Sequence, residues 1–289
     1  MESKKVMESI KENYDRLTKT QRKIASYINE HHRQIPSLSV QELAKCLNTS
    51  DATVIRFAQS LGYKGYLEMR AALKEELNEY YAPHSRFRRT TLQEYEQSSK
   101  KANTLADIVA DNDMRCHKDF YEHFDQSLIR KVADRINEAK MIHVIGFGTD
   151  SLPATFLDWY LGLMGYRTSC YTDGGFAASK RISSMEAEDL VVLFTMPRHL
   201  KVEKAILYTA KERGAYTVCV TPESNLELSS LCDTSLHISD QSNELLNSYV
   251  TAMSLCNMLI MTVYESNKEE ISGKLEKNEE LEKYFDLFL

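Results

Sequence analysis

The stretch SVQELAKCLNTSDATVIRFAQSLGY, residues 39–63, decides the fold of the first third of the chain. Ser39 and Glu42 stand at the spacing of a capping box, in which a hydroxyl and a carboxyl satisfy free N–H groups at a helix start. Leu43, Ala44 and Leu47 supply a buried face behind them, and Asn48 and Thr49 make a short turn. Ser50 suits the N-cap of a second helix, which Gly62 ends. In that helix Val54, Ile55, Phe57, Ala58 and Leu61 are expected to face inward, and Asp51, Thr53, Arg56 and Gln59 outward. Two short helices around a tight turn, the second with a polar outer side, predict a helix-turn-helix.

Upstream, Val6, Met7, Ile10, Tyr14 and Leu17 recur at helical spacing. Thr18 and Gln21 form another capping box, opening a helix that buries Ile24, Ala25 and Ile28, and Pro36 stops its continuation. A plain three-helix bundle would share this pattern. The case for DNA is chemical. A helix N-terminus offers N–H groups and a positive dipole end to phosphate, and Ser50 and Thr53 add hydroxyls there. Arg56, one turn on, is long enough for a guanine edge or a phosphate. Lys64 sits in a turn beside the helix end. By the same logic Arg56 could instead pair with a neighbouring acid such as Glu42.

Charge is uneven along the chain. Residues 1–90 hold 16 Lys/Arg and 11 Asp/Glu, a net of +5, and the remainder holds 20 and 31, a net of −11. A basic module on an acidic body suits a module that meets a polyanion. The whole chain has 289 residues, 43% hydrophobic and 27% charged, which predicts an ordinary soluble globular protein of about two domains. Its six cysteines lie far apart with no CxxC, which argues against a zinc finger or a disulfide scaffold and suits a reducing cytoplasm. The charged opening MESKKVMESIKENYDRL is no signal h-region. Leu245–Tyr264 carries no charge, but Asn247, Ser248, Thr251, Ser254 and Asn257 recur within it. That predicts an amphipathic helix in a core or a subunit interface rather than in lipid. No metal, cofactor or membrane is expected.

The runs LTKTQRKIASYINEHH (17–32) and SVQELAKCLNTSDATVIRFAQSLGYKGYLEMRAALKEEL (39–77), above all SxATVxRFxxxLGYxGY, resemble the amino-terminal helix-turn-helix of the RpiR/MurR family of bacterial sugar-metabolism regulators. The resemblance implies binding of double-stranded DNA through the Ser50–Leu61 helix, with Thr49, Ser50, Thr53, Arg56, Lys64 and Tyr66 as candidate contacts.

Beyond a linker around Pro83 and Arg86, Arg88 and Arg89, residues 93–139 read as helical. Short apolar strands then alternate with helices: Met141–Gly146, Arg167–Tyr171, Leu190–Thr195, Tyr216–Thr221 and Thr234–Ile238, separated by Leu152–Met164, Phe176–Ser184, Lys201–Arg213 and Leu226–Leu231. Such alternation predicts a parallel sheet covered on both faces, with ligands beyond the strands' carboxyl ends. The loop Gly146-Phe147-Gly148-Thr149-Asp150-Ser151 is GxGxxS, an incomplete dinucleotide fingerprint, so no nicotinamide cofactor is expected.

The order and spacing resemble the SIS (sugar isomerase) domain that follows the helix-turn-helix in that family, carried by INEAKMIHVIGFG, EDLVVLFT, AKERGAYTVCVT and LSSLCDTSLHIS. The resemblance implies a three-layer α/β/α fold with a five-stranded parallel sheet and a phosphosugar effector. The expected domains are 1–77 (helix-turn-helix), 78–127 (linker and helical tether), 128–265 (SIS) and 266–289 (tail). Candidate effector contacts are Gly146, Gly148, Thr149, Asp150, Ser151, Thr195, Arg198 and His199. Family phosphate sites place a Ser where this chain has Asp150, an anion expected to repel phosphate. The second loop, normally SxSGxT, is Thr195-Met196-Pro197-Arg198-His199-Leu200, where only Thr195 keeps a hydroxyl and Arg198 brings a bidentate anion fork. A rebuilt phosphate site, a less acidic ligand and an empty scaffold all remain open.

An SIS-type isomerase or etherase would need a general base. Glu186 and Glu188 precede a strand, opposite the ligand end, and His199 lacks a convincing partner, so a non-enzymatic regulator is expected. Its SIS domains are expected to pair, as a homodimer or homotetramer, through the 245–264 helix and the apolar tail Tyr284–Leu289. Pairing would present two recognition helices to an inverted-repeat operator.

Overall fold

The computed structural model describes residues 5–82, 85, 104–222, 226–238 and 248–285. The linker arginines, residues 93–103, residues 245–247 and the tail residues 286–289 lie outside the described residues. Two compact units emerge, dividing near residue 91.

The first unit is all helical: α1 (Val6–Asn13), α2 (Lys19–His31), α3 (Val40–Cys46), α4 (Asp51–Ser60) and α5 (Tyr66–Tyr80). Both capping boxes form as the spacing predicts, Thr18 with Gln21 and Ser39 with Glu42, each cap worth about 1 kcal/mol. Glu76 of α5 accepts from the Val6 and Met7 N–H groups, so another helix caps α1. Asn48, at φ 51°, turns the chain between α3 and α4. Gly62, at φ 93°, ends α4, a left-handed conformation that glycine adopts without a Cβ penalty. Ile10, Ile24, Ile28, Leu43, Val54, Phe57, Leu61, Met69 and Leu73 make one buried core. Ile55 departs from expectation: it is 36% exposed rather than packed inward.

The second unit opens with α6 (Leu105–His123) and α7 (Gln126–Glu138). Strands β1 (Ile142–Gly146), β2 (Thr168–Tyr171), β3 (Leu190–Phe194), β4 (Tyr216–Pro222) and β5 (Thr234–Ile238) form one sheet in the order β2-β1-β3-β4-β5. Every pairing is parallel; Val144 aligns with Cys170 on one side and Val192 on the other. Helices α8 (Ser151–Leu163), α9 (Phe176–Ile182), α10 (Lys201–Arg213) and α11 (Leu226–Ser229) connect them, and α12 (Val250–Ser266) and α13 (Lys268–Tyr284) follow.

Alternation along the strands divides the core between the two faces. Val144, Val192, Phe194, Val218 and Val220 pack with Ile129 and Val132 of α7, Leu157 and Leu161 of α8, and Leu255 and Leu259 of α12. Ile145, Val191, Leu193 and Cys219 pack with Ile182 of α9 and Ile206, Leu207 and Ala210 of α10. This is the three-layer α/β/α arrangement with a five-stranded parallel sheet.

Helix α12 is shorter than the uncharged run that predicts it. One face is core, and Thr251 is buried there rather than on a polar side, while Met261 is 62% exposed. Residues expected as a tail form α13, supported by the i,i+4 pair of Glu270 and Lys274. Tyr284 and Phe285 at its end are exposed. No helix among the described residues is long and apolar enough to cross a membrane.

Candidate DNA-reading helix and ligand site

The turn before α4 is tied down from both sides. The Thr49 N–H donates to Ala44 O at 2.9 Å, and Lys23 Nζ donates to Leu47 O at 3.0 Å. Ser50 Oγ accepts from the Thr53 N–H at 3.3 Å and lies 2.9 Å from Thr53 Oγ1, so the two hydroxyls form one cluster at the helix start. Ser50 is exposed, and Thr49 and Thr53 are half-buried.

Arg56 is exposed and makes no ion pair among the described residues. Its alternative partner is spent elsewhere: Glu42 Oε2 accepts from the Ser39 N–H at 2.7 Å, and the Ser39 bonds hold that carboxyl below its usual range. Lys64 is exposed, with its main-chain N–H on Glu68 Oε2 at 2.5 Å.

Tyr66 corrects the expected contact set. Its side chain is 3% exposed, and its hydroxyl donates to Leu38 O at 2.9 Å and lies 3.3 Å from Ile35 O. Burial pushes the phenol up to about 12. This tyrosine pins α5 to the segment before α3, which satisfies its polar tip and withdraws it from solvent.

In the second unit the loops Gly146–Ser151 and Thr195–Leu200 follow β1 and β3, adjacent strands at the carboxyl edge. β1 lies between β2 and β3 in the sheet, so this is the point where strand order reverses. Gly146 is obligatory: a Cβ there would lie 2.2 Å from the Asp150 carbonyl oxygen and 3.0 Å from Ala154 Cβ. Gly148 takes φ 60° with open space around it.

Asp150 corrects the expectation that its charge faces a ligand phosphate. It is 6% exposed, its Oδ2 accepts from the Met196 N–H at 3.0 Å, and its Oδ1 accepts from the Tyr249 hydroxyl at 2.7 Å. Burial raises its carboxyl to about 6, against the lowering effect of the Met196 and Tyr249 bonds. The Tyr249 hydroxyl also lies 2.7 Å from Thr149 Oγ1, and Ser151 Oγ donates to Gly148 O at 2.6 Å. Tyr249 stands at the start of α12.

Thr195 is fully buried. Its hydroxyl donates to Glu203 Oε2 at 2.8 Å and lies 2.8 Å from His199 Nδ1. With that single proton on Glu203, Nδ1 must carry the proton of the second bond. Glu203 Oε2 also accepts from the Leu200 N–H at 2.8 Å, closing the first turn of α10. Glu203 is 1% exposed, and burial raises its carboxyl to about 7, with Asp150 adding to the rise. The one hydroxyl retained in the second loop is therefore taken up inside the protein, while Arg198 and His199 are exposed beside it.

Sequence reasoning missed Glu203 and Tyr249. Glu203 reads as an ordinary first-turn acid, and Tyr249 sits 99 residues from the aspartate that it contacts. Glu186 and Glu188 lie where expected, at the opposite sheet edge, both paired with Lys140. Among the described residues no group of His, Cys, Asp and Glu could hold a metal ion.

An exposed, capped second helix of a helix-turn-helix and, in the second unit, a parallel sheet with two loops at its switch point give the chain two modules of different architecture. Comparison with known proteins agrees: residues 4–80 match the helix-turn-helix domain of the rpiR family, and residues 135–262 match the SIS domain. The chain is thus similar to the rpiR family in its helix-turn-helix and to SIS domains in its second unit. It is 24% identical over 250 residues to the uncharacterized HTH-type transcriptional regulator YbbH of Bacillus subtilis, covering 86% of this chain and 84% of that one. The fold is shared with the Vibrio vulnificus NanR protein complexed with ManNAc-6P (TM-score 0.66, 22% identity, 97% of this chain and 98% of that one). It is also shared with the sugar isomerase domain of an RpiR transcription factor from Sphaerobacter thermophilus (TM-score 0.58, 23% identity, 61% of this chain and 98% of that one).

Proposed function

We propose that this regulator binds an inverted-repeat operator in double-stranded DNA through α4, with Thr49, Ser50, Thr53, Arg56 and Lys64 at the interface. Its SIS domain pairs it into a homodimer or homotetramer and senses a phosphorylated sugar of carbohydrate metabolism in the cytoplasm. Residues 1–77 read DNA, 78–127 tether the units, and 128–265 sense and pair. The outer face of α12 up to Tyr264, which carries no charge, and the end of the chain serve the pairing.

The observation that carries the sensing role is the Asp150 carboxylate bound to the Met196 N–H, which joins the two switch-point loops beside exposed Arg198 and His199. Anion recognition then falls to Arg198, to His199 when protonated, and to main-chain N–H groups of the glycine loop. The ManNAc-6P in the NanR relative supports the ligand class. A ligand that binds one arrangement of the loops better than another shifts operator affinity by that difference.

Thermal-shift and calorimetric titration of the full chain with hexose and hexosamine 6-phosphates, each beside its unphosphorylated sugar, tests the reading. One phosphosugar is expected to raise the midpoint and change DNA affinity, and its neutral counterpart to do neither. No response to any phosphosugar, with DNA binding intact, would leave the domain as a pairing scaffold.

The His199–Thr195–Glu203 chain favours a second reading, an SIS-type isomerase or etherase in which His199 moves a proton. Turnover of fructose 6-phosphate by the purified chain, abolished by His199→Ala, would establish it.

A further inference from the structure

The outer face of α4 is only partly polar. Val54, Phe57, Ala58 and Leu61 are buried. At about 100° per residue, the direction opposite them is held by Ala52, Gln59 and Arg56, with Ile55 on one flank and Thr53 on the other. Ala52 and Ile55 are both exposed, and they stand one turn apart. Ile55 Cγ2 lies 3.9 Å from where a Gly65 Cβ would be, so the glycine leaves that side of the isoleucine uncovered by a side chain.

The fold covers about two-thirds of Ile55 and leaves 36% of it, all hydrocarbon, open to solvent. An exposed helical site is better served by Glu, Lys or Gln, because a β-branched side chain loses χ1 freedom there. Gln59 does not fill the gap, since its amide donates to Lys64 O at 3.4 Å. The outward groups are therefore a cation without an ion pair, an amide tethered to its own chain and the Ala52 methyl, with the Ile55 hydrocarbon on the flank beside them.

Phosphates alone would call for cations and N–H donors. A cation beside exposed hydrocarbon matches a surface that is anionic yet carries apolar groups at fixed places. In the major groove that apolar group is the thymine 5-methyl, and the cation's specific partner is the O6/N7 edge of guanine. The net of +5 over residues 1–90 gives the matching charge.

We propose that Ala52 and Ile55 form an apolar reading pair for thymine 5-methyl groups in the major groove, setting operator specificity next to Arg56. This rests on α4 being the DNA-reading helix. A lone apolar side chain on a surface is common and carries nothing by itself; the pairing with Arg56 on one face is what gives it a partner.

The test uses the full chain. Duplexes enriched from a random pool are resynthesised with uracil replacing thymine one position at a time, which deletes only the methyl group. Wild type is expected to lose about 3- to 10-fold in affinity at one or two thymines per half-site. Ile55→Ala, shown to be folded by its thermal midpoint, is expected to bind more weakly and to treat thymine and uracil there alike. Unchanged wild-type affinity at every uracil position, or full discrimination retained by Ile55→Ala, overturns the proposal while leaving DNA binding standing. Failure to enrich any sequence removes the DNA reading itself.

Discussion

The Asp150 carboxylate reaches across 46 residues of sequence to the main-chain nitrogen of Met196, at 3.0 Å, and fastens the loop after β1 to the loop after β3. A charge expected to oppose an incoming phosphate is instead spent on holding the rim of the site together. Glu203 holds the two ends of that second loop, accepting from the Thr195 hydroxyl and the Leu200 N–H.

Both carboxyls titrate above their ordinary values in the folded chain, to about 6 and about 7. The folded state therefore holds protons there that the unfolded state releases, and the associated stability is full at low pH and lost as pH rises through those values. Urea unfolding of the second unit between pH 5 and pH 8 is expected to show a falling contribution from these groups. Asp150→Asn and Glu203→Gln, each measured against wild type, should flatten the slope; an unchanged slope in both would discard the assignment.

Arg56→Ala should weaken binding to an enriched duplex by about 10-fold or more at fixed salt, equivalent to 1–3 kcal/mol for a lost base contact. The thermal midpoint should stay within error, because the side chain is exposed and makes no ion pair among the described residues. Fluorescence anisotropy and a melting curve together check this.

Tyr66→Phe should do the reverse. Removing the hydroxyl leaves the Leu38 carbonyl without this donor and should cost about 1–2 kcal/mol in chemical denaturation. DNA affinity under conditions where the variant is fully folded should be unchanged. A variant of normal stability with impaired binding would return Tyr66 to the interface.

Gly146→Ala sets a Cβ 2.2 Å from the Asp150 carbonyl oxygen, a backbone atom that cannot swing away. It should destabilise the second unit by about 2 kcal/mol or more, read as a lower urea midpoint. Gly148→Ala, with nothing near the new methyl but φ at 60°, should cost only about 1 kcal/mol.

Local chemistry made much of the fold legible. The Thr18–Gln21 and Ser39–Glu42 boxes are complete within four residues, and the apolar runs at β3 and β4 have no other use in a chain of this kind. Errors arose where the deciding partner is far away or where one residue type has two uses. Asp150 is satisfied by residues 46 and 99 positions distant, which no short-range pattern reveals. Tyr66 carries a polar tip that looks suited to a phosphate and is met by the Leu38 carbonyl, 28 residues earlier. Ile55 is apolar enough to read as core, yet its helical angle lies on the flank rather than at the centre of the buried arc. The uncharged run before α12 similarly overstates the helix, since lack of charge does not mark where a helix begins.

The helix starting at Lys201 already has an acid seated at its mouth, in the form of Glu203 on the Leu200 N–H. Any visiting anion therefore meets an incumbent that is attached to the chain and never diffuses away. Buried and bonded to both Thr195 and Leu200, it leaves the exposed guanidinium and imidazole of the same loop as the groups that face outward.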